Sequence, residues 1–360
     1  MSKSLKSLDG IRGLAALYVM IHHARLTLTQ SYHNGLGLHP EKYAWYDKAM
    51  VYFFSLFKFG HEAVIVFFVL SGFVIHLKQA DRKYDFRNFK LTEYLKKRIV
   101  RIYPTLLTSF IICILVELLI NAVTGESLVL LFSKYRLSGF LYNLFLIPEG
   151  PIWGHNYPMW SLKHEWFFYL MYPFLLWQLC NRPILTVATI LTLYFSYCFG
   201  LEIPYIGTAA YTLLIWSLGA LLAYLYKNGK MKYVPYLSSL SLFYPLINRE
   251  SISTYPLLDL VFGLIVSGVL ALIISRRVTY VSSFLIKLSW LGAFSYSLYL
   301  LHTPLIYAME KIIIFSTNKQ TTAYHLWYVV MACLIIPPLC YMIYYCTERP
   351  AINYKKKISA

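Results

Sequence analysis

The sequence predicts an all-α, polytopic membrane protein: a bundle of about ten transmembrane helices with both termini on the cytoplasmic side. Three observations lead there. Hydrophobic residues make up 58% of the 360 and charged residues 14%, more apolar and less charged than a soluble domain. Apolar runs long enough to cross a bilayer recur from one end of the chain to the other. Lysine and arginine gather on one set of the connections between those runs, as the positive-inside tendency requires. At ~20 residues per span plus short connections, ten helices use up a chain of this length. No soluble catalytic domain fits beside them, so any site lies inside the bundle. No internal repeat, low-complexity tract or Gly/Ser linker divides residues 1–360, which reads as one transmembrane domain without a soluble C-terminal domain.

The expected spans are 11–29, 58–77, 102–124, 160–180, 183–200, 208–226, 233–247, 257–275, 288–307 and 324–346. An even number places both termini on one side. With that side cytoplasmic, 22 Lys and Arg fall on inner segments and 7 on outer ones, Arg12, Arg25, Lys58 and Lys163 lying within or at the edges of spans. The first span follows Lys3 and Lys6 as a signal peptide would. It has no small-residue cleavage site, however, and it contains Arg12, His22 and His23, so it reads as a retained helix. Segment 125–158 is apolar but interrupted by Lys134 and Arg136, which suits a re-entrant or interfacial piece better than a crossing. Residues 49–57, AMVYFFSLF, read as a surface segment ahead of the second span. Pro104 marks the start of the third.

The net charge of +17 would suggest nucleic acid for a soluble protein. Here the basic residues flank apolar spans and act as orientation signals, so membrane lipids and not nucleic acid are the expected neighbours. The six cysteines, Cys113, Cys180, Cys198, Cys333, Cys340 and Cys346, all sit in apolar runs without a CxxC pair, and read as reduced, buried small residues. His22, His23, His61 and His164 have no metal-ligand spacing, and no metal is expected. The 33 tyrosines suit interfacial belts, with some available to stack on a sugar ring.

Charge inside hydrocarbon is costly and marks candidate sites. Arg12 and His23 lie eleven residues apart on the first helix, ~16 Å along its axis and about three turns, so they share a face. Nine Lys or Arg occupy residues 78–101. Among them Arg98 and Arg101, three apart, can present two planar forks to phosphate oxygens at the inner surface; affinity for anionic headgroups is the plainer alternative. In the second span, Ser71-Gly72 suits close helix packing more than nucleophilic chemistry, and His61 and Glu62 lie near its outer end. Glu165 stands in the first turns of the fourth span, where the helix dipole favours a carboxylate. Its depth makes it a candidate to orient His23. His302 approaches the outer end of the ninth span beside Pro304, as a hydrogen-bonded packing residue or a functional one.

Taken together, LDGIRGLAALYVMIHH, FFVLSGFVI, RIVRIYP, WSLKHEWFFYLMYP, SYSLYLLHTPL and the terminal ERP resemble, in order and approximate spacing, the acyltransferase family 3 membrane proteins. The resemblance covers most of the chain. It implies a roughly ten-helix bundle that moves an acyl group, usually acetyl, from cytosolic acyl-CoA to a hydroxyl of a carbohydrate or lipid-linked glycan on the far side. Acyl-CoA would be the donor substrate, with no permanently bound cofactor. By the family's pattern Arg12 and His23 match its first-helix arginine and essential histidine, Arg98 and Arg101 its Arg-x-x-Arg pair, and Glu165 the glutamate of its Trp-Ser-Leu motif. Ala63, Ile65 and Lys163-His164 depart from the usual residues, which bears on acceptor identity and local packing. Many relatives carry a soluble esterase-like domain after the bundle, so a stand-alone form is expected.

The expected function is therefore an integral O-acyltransferase of a cell membrane, most naturally a bacterial cytoplasmic one, active on envelope polysaccharide. His23 and Glu165 would be catalytic, and Arg12, Arg98 and Arg101 would bind the donor. A secondary transporter using an Arg/His/Glu path and a non-catalytic scaffold are the rival readings. The lack of GxSxG disfavours a serine-elbow acyltransferase, and Leu28 at the fifth position after His23 disfavours an HxxxxD enzyme.

Overall fold

The computed structural model describes residues 3–30, 32–125, 135–201, 203–244, 255–275, 277–317 and 326–359, and among them it is all helical, with no strand. The α-helices, numbered in chain order, are α1 (Lys3–Leu28), α2 (Trp45–Ser55), α3 (Gly60–His76), α4 (Leu91–Thr124), α5 (Leu137–Leu144), α6 (Met159–Asn181), α7 (Pro183–Cys198), α8 (Ala209–Lys227), α9 (Tyr255–Ile274), α10 (Thr279–Lys287), α11 (Ser289–Ala293), α12 (Ser295–Thr317), α13 (Trp327–Cys346) and α14 (Glu348–Ser359). Among the described residues, six stretches are long and apolar enough to cross a membrane: Trp45–His76, α4, α8, α9, α12 and α13. The protein thus has a multi-pass architecture. At 26 and 23 residues, α1 and α6 have the length but carry charge within it: Asp9, Arg12 and Arg25 in one, Lys163 and Glu165 in the other. Apolar α7 has only 16 residues.

Three details differ from the sequence reading: the start of α4, the seventh span and the burial of the cysteines. Helix α4 does not begin at Pro104 but at Leu91, and runs 34 residues through the proline. Thr108 Oγ1 donates to the Pro104 carbonyl at 2.8 Å, the local repair that lets a membrane helix keep a proline. The helix stops at Gly125, whose φ of 72° makes the left-handed cap. In place of an α-helical seventh span the chain forms a 3₁₀ helix, Val234–Leu242, against α9; residues 245–247 of that expected span lie outside the described residues. Residues 49–55 lie in the separate helix α2 ahead of α3, and 56–57 form the turn between the two. The cysteines are all free, but only Cys113 and Cys340 are buried, while Cys180, Cys198 and Cys346 are exposed. The outer surface of a membrane bundle is itself apolar, so a hydrophobic residue gains little there by facing inward. In segment 125–158, residues 126–134, Lys134 among them, lie outside the described residues; from residue 135 the segment contributes the eight-residue α5 and a loop.

Two packed clusters frame the site. The larger joins α3, α4, α6, α8 and α9 through side chains such as Phe68, Phe73, Phe168 and Trp216; the other joins α1, α12 and α13 through Met20, Ala24, Leu298, Leu301, Val329 and Ala332. Phe67 packs against both. Contact between α3 and α8 is made at backbone level: a Cβ on Gly72 would run into the Trp216 carbonyl, and one on Gly219 into the Val69 carbonyl. Small residues permit that approach where there is no hydrophobic drive between helices. Ser71 and Trp216 are thereby brought side by side, with the indole Nε1 donating to Ser71 Oγ at 3.3 Å.

Candidate active site

A cavity of about 880 Å³ opens among the start of α1, the end of α3, the start of α4, and α6 and α12. That volume lies in the range of ligand pockets. Its rim is basic, with Lys78, Lys90 and Lys97, and its interior carries Arg12, Arg98, Arg101 and Glu165. The expected donor-binding arginines are thus gathered in one space. They are held differently. Arg12 is spent on the protein: it pairs with Asp9 at 3.0 Å, donates from Nε to Ser295 Oγ at 3.1 Å and from Nη2 to the Gly292 carbonyl at 2.8 Å. It locks α1 to the α11–α12 corner. Arg98 and Arg101 form no ion pair among the described residues. The Arg98 guanidinium lies 5.3 Å from the ring centroids of both Tyr94 and Tyr169, and that of Arg101 lies 5.9 Å from Tyr296. Aromatic faces hold a cation in place without spending its hydrogen-bond donors. The buried Nε of Arg98 has no partner.

Glu165 is inside this cavity and not beside His23. Its Oε1 accepts from Ser71 Oγ at 2.7 Å and from the Tyr169 hydroxyl. The expectation that Glu165 orients His23 is therefore corrected. The Ser71 hydroxyl and the phenol one turn along α6 take the carboxylate, and the imidazole has another partner.

That partner is His302. The two rings stack at 12° with centroids 5.1 Å apart, and His23 Nδ1 lies 2.8 Å from His302 Nε2. The tautomers follow from the far side of the pair. His302 Nδ1 is 3.0 Å from the Leu298 carbonyl oxygen, which only accepts, so Nδ1 carries the hydrogen. A neutral imidazole then has Nε2 as its acceptor, and His23 must donate from Nδ1. His23 Nε2 is left with its lone pair. The chain Leu298 carbonyl, His302, His23 thus fixes both the ring and the tautomer of the first-helix histidine, the second-partner logic of a positioned base.

The cavity stops short of this pair. Its far wall includes Phe67, Ser161 and Tyr299. The Tyr299 hydroxyl and Ser161 Oγ are 2.5 Å apart, Phe67 stands edge-on to Tyr299 at 5.3 Å, and the Tyr299 ring meets His302 at 6.0 Å. One phenol therefore separates the cavity from the histidine pair. Sequence reasoning missed Tyr299, Tyr169, Tyr296 and the partnership of His302. Only Tyr169 had a local signal, its i+4 spacing from Glu165.

Two other expected residues belong to different groups. Ser71 binds Glu165. His61 gives Nε2 to the two oxygens of buried Asp259, both at 2.9 Å, and Asp259 also accepts from the Tyr211 hydroxyl at 3.0 Å. His61 stacks on Trp160 and ties the start of α3 to α9. Among the described residues no cluster suited to a metal ion is present.

The acyltransferase 3 family, described as an acyltransferase domain, matches residues 5–345. The chain belongs to this family. Among its relatives, the acyltransferase MdmB of Streptomyces mycarofaciens is 31% identical over 188 residues, which is 50% of this chain and 41% of that protein. The O-acetyltransferase OatA of Staphylococcus aureus is 25% identical over 186 residues, 49% of this chain and 26% of that protein. The chain thus spans less than half the length of these relatives. No solved structure matches it. The arginine cavity and histidine pair are accordingly read as parts of a family 3 acyltransferase.

Proposed function

We propose that the protein is a membrane O-acyltransferase that takes an acyl group, most simply acetyl, from cytosolic acyl-CoA and delivers it to a hydroxyl of a carbohydrate or lipid-linked glycan across the membrane. In this reading the chain crosses ten times with both termini cytoplasmic, and the bundle sits in a cell membrane. The observation that carries it is the path from a basic cavity with two open guanidinium forks to a histidine pair, His302 standing against the phenol at its end and leaving His23 Nε2 its lone pair. The nucleotide phosphates of the donor would lie on Arg98, Arg101 and the rim lysines, and its pantetheine arm would run past Arg12 and Glu165 toward Tyr299.

Movement of the Tyr299 ring away from Ser161 would bring thioester and imidazole together. His23 Nε2 takes the proton of the acceptor hydroxyl, its oxygen forms the new bond to the thioester carbonyl carbon, the C–S bond breaks, and the proton passes from Nε2 to the departing thiolate. His302 stabilises the transient imidazolium through the Nδ1 hydrogen bond.

Purified protein in nanodiscs, given radiolabelled acetyl-CoA and an envelope-glycan extract, should transfer label to glycan. Loss of transfer in His23→Ala, with acetyl-CoA binding intact, is the expected result. Failure of the wild type to bind acetyl-CoA would overturn the reading, as would solute flux through proteoliposomes without any donor. Label kept covalently on the wild type and absent from His23→Ala would instead make Nε2 the nucleophile.

A further inference from the structure

We propose that the start of α6, at the opposite end of the bundle from the cavity's basic rim, is an acceptor subsite that binds an oxyanion, carboxylate or phosphate, through the ammonium of Lys163. This rests on the acyl-transfer reading above and names the class of acceptor: a glycan bearing negative charge.

Lys163 is 1% exposed. Its one hydrogen bond is a long one, from Nζ to the Gly150 carbonyl at 3.4 Å, although an ammonium has three donors. It makes no ion pair among the described residues, and the carboxylates closest in sequence are engaged elsewhere. Glu165 accepts from Ser71 and Tyr169, and Glu149 from the Tyr205 N–H at 3.1 Å. Taking an ammonium out of water costs several kcal/mol unless an anion and good hydrogen bonds compensate, and one carbonyl does not.

A second, separate observation lies at the same helix end. Asn156 is 0% exposed and neither its side-chain oxygen nor its nitrogen has a partner. Its main-chain carbonyl accepts from Met159 N–H at 3.1 Å, which fixes it just before the first turn of α6. That turn has no side-chain cap; the Met159 and Trp160 N–H groups donate to the Asn156 and Tyr157 carbonyls, and the helix dipole adds a partial positive charge at this end. Buried ammonium, buried amide and helix start together suit one delocalised anion.

The site is placed to serve the chemistry. The loop residues Gly150, Pro151 and Ile152 are exposed, and the Gly150 carbonyl of this loop is the acceptor that the ammonium reaches. Two residues before Lys163, Ser161 holds Tyr299, the ring against His302. Lys163 faces the other side of that turn from Ser161, so an acceptor anchored there would lie across α6 from the partition that has to open. His164, next along the helix, is engaged with Thr208 and Thr212 of the α8 end at 3.0 and 3.3 Å and plays no part.

The test uses the full chain in nanodiscs at constant ionic strength. The thermal unfolding midpoint is measured with sodium glucuronate, glucose 1-phosphate or glucose, and separately with acetyl-CoA. The expected result is stabilisation by one or both anionic sugars at concentrations where glucose has no effect. It should weaken at least tenfold in Lys163→Gln, survive in Lys163→Arg, and leave the acetyl-CoA shift unchanged. Glucuronate alone would indicate an acidic sugar, glucose 1-phosphate alone a phosphorylated or lipid-linked glycan. Equal effects of glucose and the anions, or anion shifts intact in Lys163→Gln, would overturn the subsite and leave Lys163 as an anchor of the 149–152 loop. Should Lys163→Gln not fold, Asn156→Leu gives the same reading by the same criteria. A Lys163-dependent anion shift without any acetyl-CoA shift would fail the acyl-CoA reading and not this one.

Discussion

In the basic cavity Arg98 and Arg101 carry their charge over tyrosine rings with no ion pair. Across Tyr299, His23 and His302 hold one another as a neutral pair, anchored to a backbone carbonyl. On the proposed function, the contrast teaches how one bundle would separate two tasks. Binding a polyanion needs cations whose hydrogen bonds are unspent, so aromatic faces, which leave the donors free, are the suitable supports. Moving a proton needs an unprotonated nitrogen of known position, so a neutral partner that fixes the tautomer suits better than a carboxylate that would favour the protonated ring. Arg12, in the same cavity, shows the opposite case: engaged through Nε and Nη2 with Asp9, Ser295 and Gly292, it positions α1 and hence His23.

The contrast can be broken at several points. His23→Ala should lower acyl transfer by roughly 10²–10⁴-fold, the range for loss of a positioned base, with donor affinity unchanged by calorimetry; a matching loss of affinity would merge the two regions. Arg98→Ala with Arg101→Ala should do the reverse, weakening acetyl-CoA binding by roughly 1.5–3 kcal/mol per lost charged contact and flattening its dependence on salt. His302→Phe should lower kcat about tenfold or more while leaving the donor KM alone. His302→Gln, whose amide oxygen can still accept from His23 Nδ1, should recover part of that rate; equal losses in both variants would show that packing and not tautomer control is at stake. The smallest effect is expected for Arg12→Lys, which keeps the charge near Asp9 but loses the fork to Ser295 and Gly292. A drop in stability of about 1 kcal/mol should be seen as earlier thermal unfolding, with donor binding little changed.

The arginines were legible because charge in an apolar run is conspicuous and the Arg98–Arg101 spacing is local. Arg12 and His23 share a helix, so their depth followed from the helical rise. Nothing local marked His302 as the partner of His23, which is 279 positions away on a helix whose contact with α1 is a tertiary fact. Glu165 is matched to the wrong neighbour, since position along a helix says nothing of which way it is turned; it lines the cavity with Ser71 and Tyr169. The same holds for the elements: long apolar helices were readable, whereas the start of α4 was misjudged because a proline can be tolerated inside a helix in lipid. The 3₁₀ helix beside α9 had no periodic signature that tells it from an α-helix over so short a run.

The hydroxyl contact between Tyr299 and Ser161 has a consequence beyond transfer. On the proposed topology a polar hollow reaches from the cytosol well into the bilayer, and such a hollow is a route for protons and small ions unless something plugs it. A phenol wedged edge-on to Phe67 is such a plug, so the resting protein can sit in an energised membrane without short-circuiting it. Replacing that ring with a small side chain would then be felt first in the membrane potential of the cell.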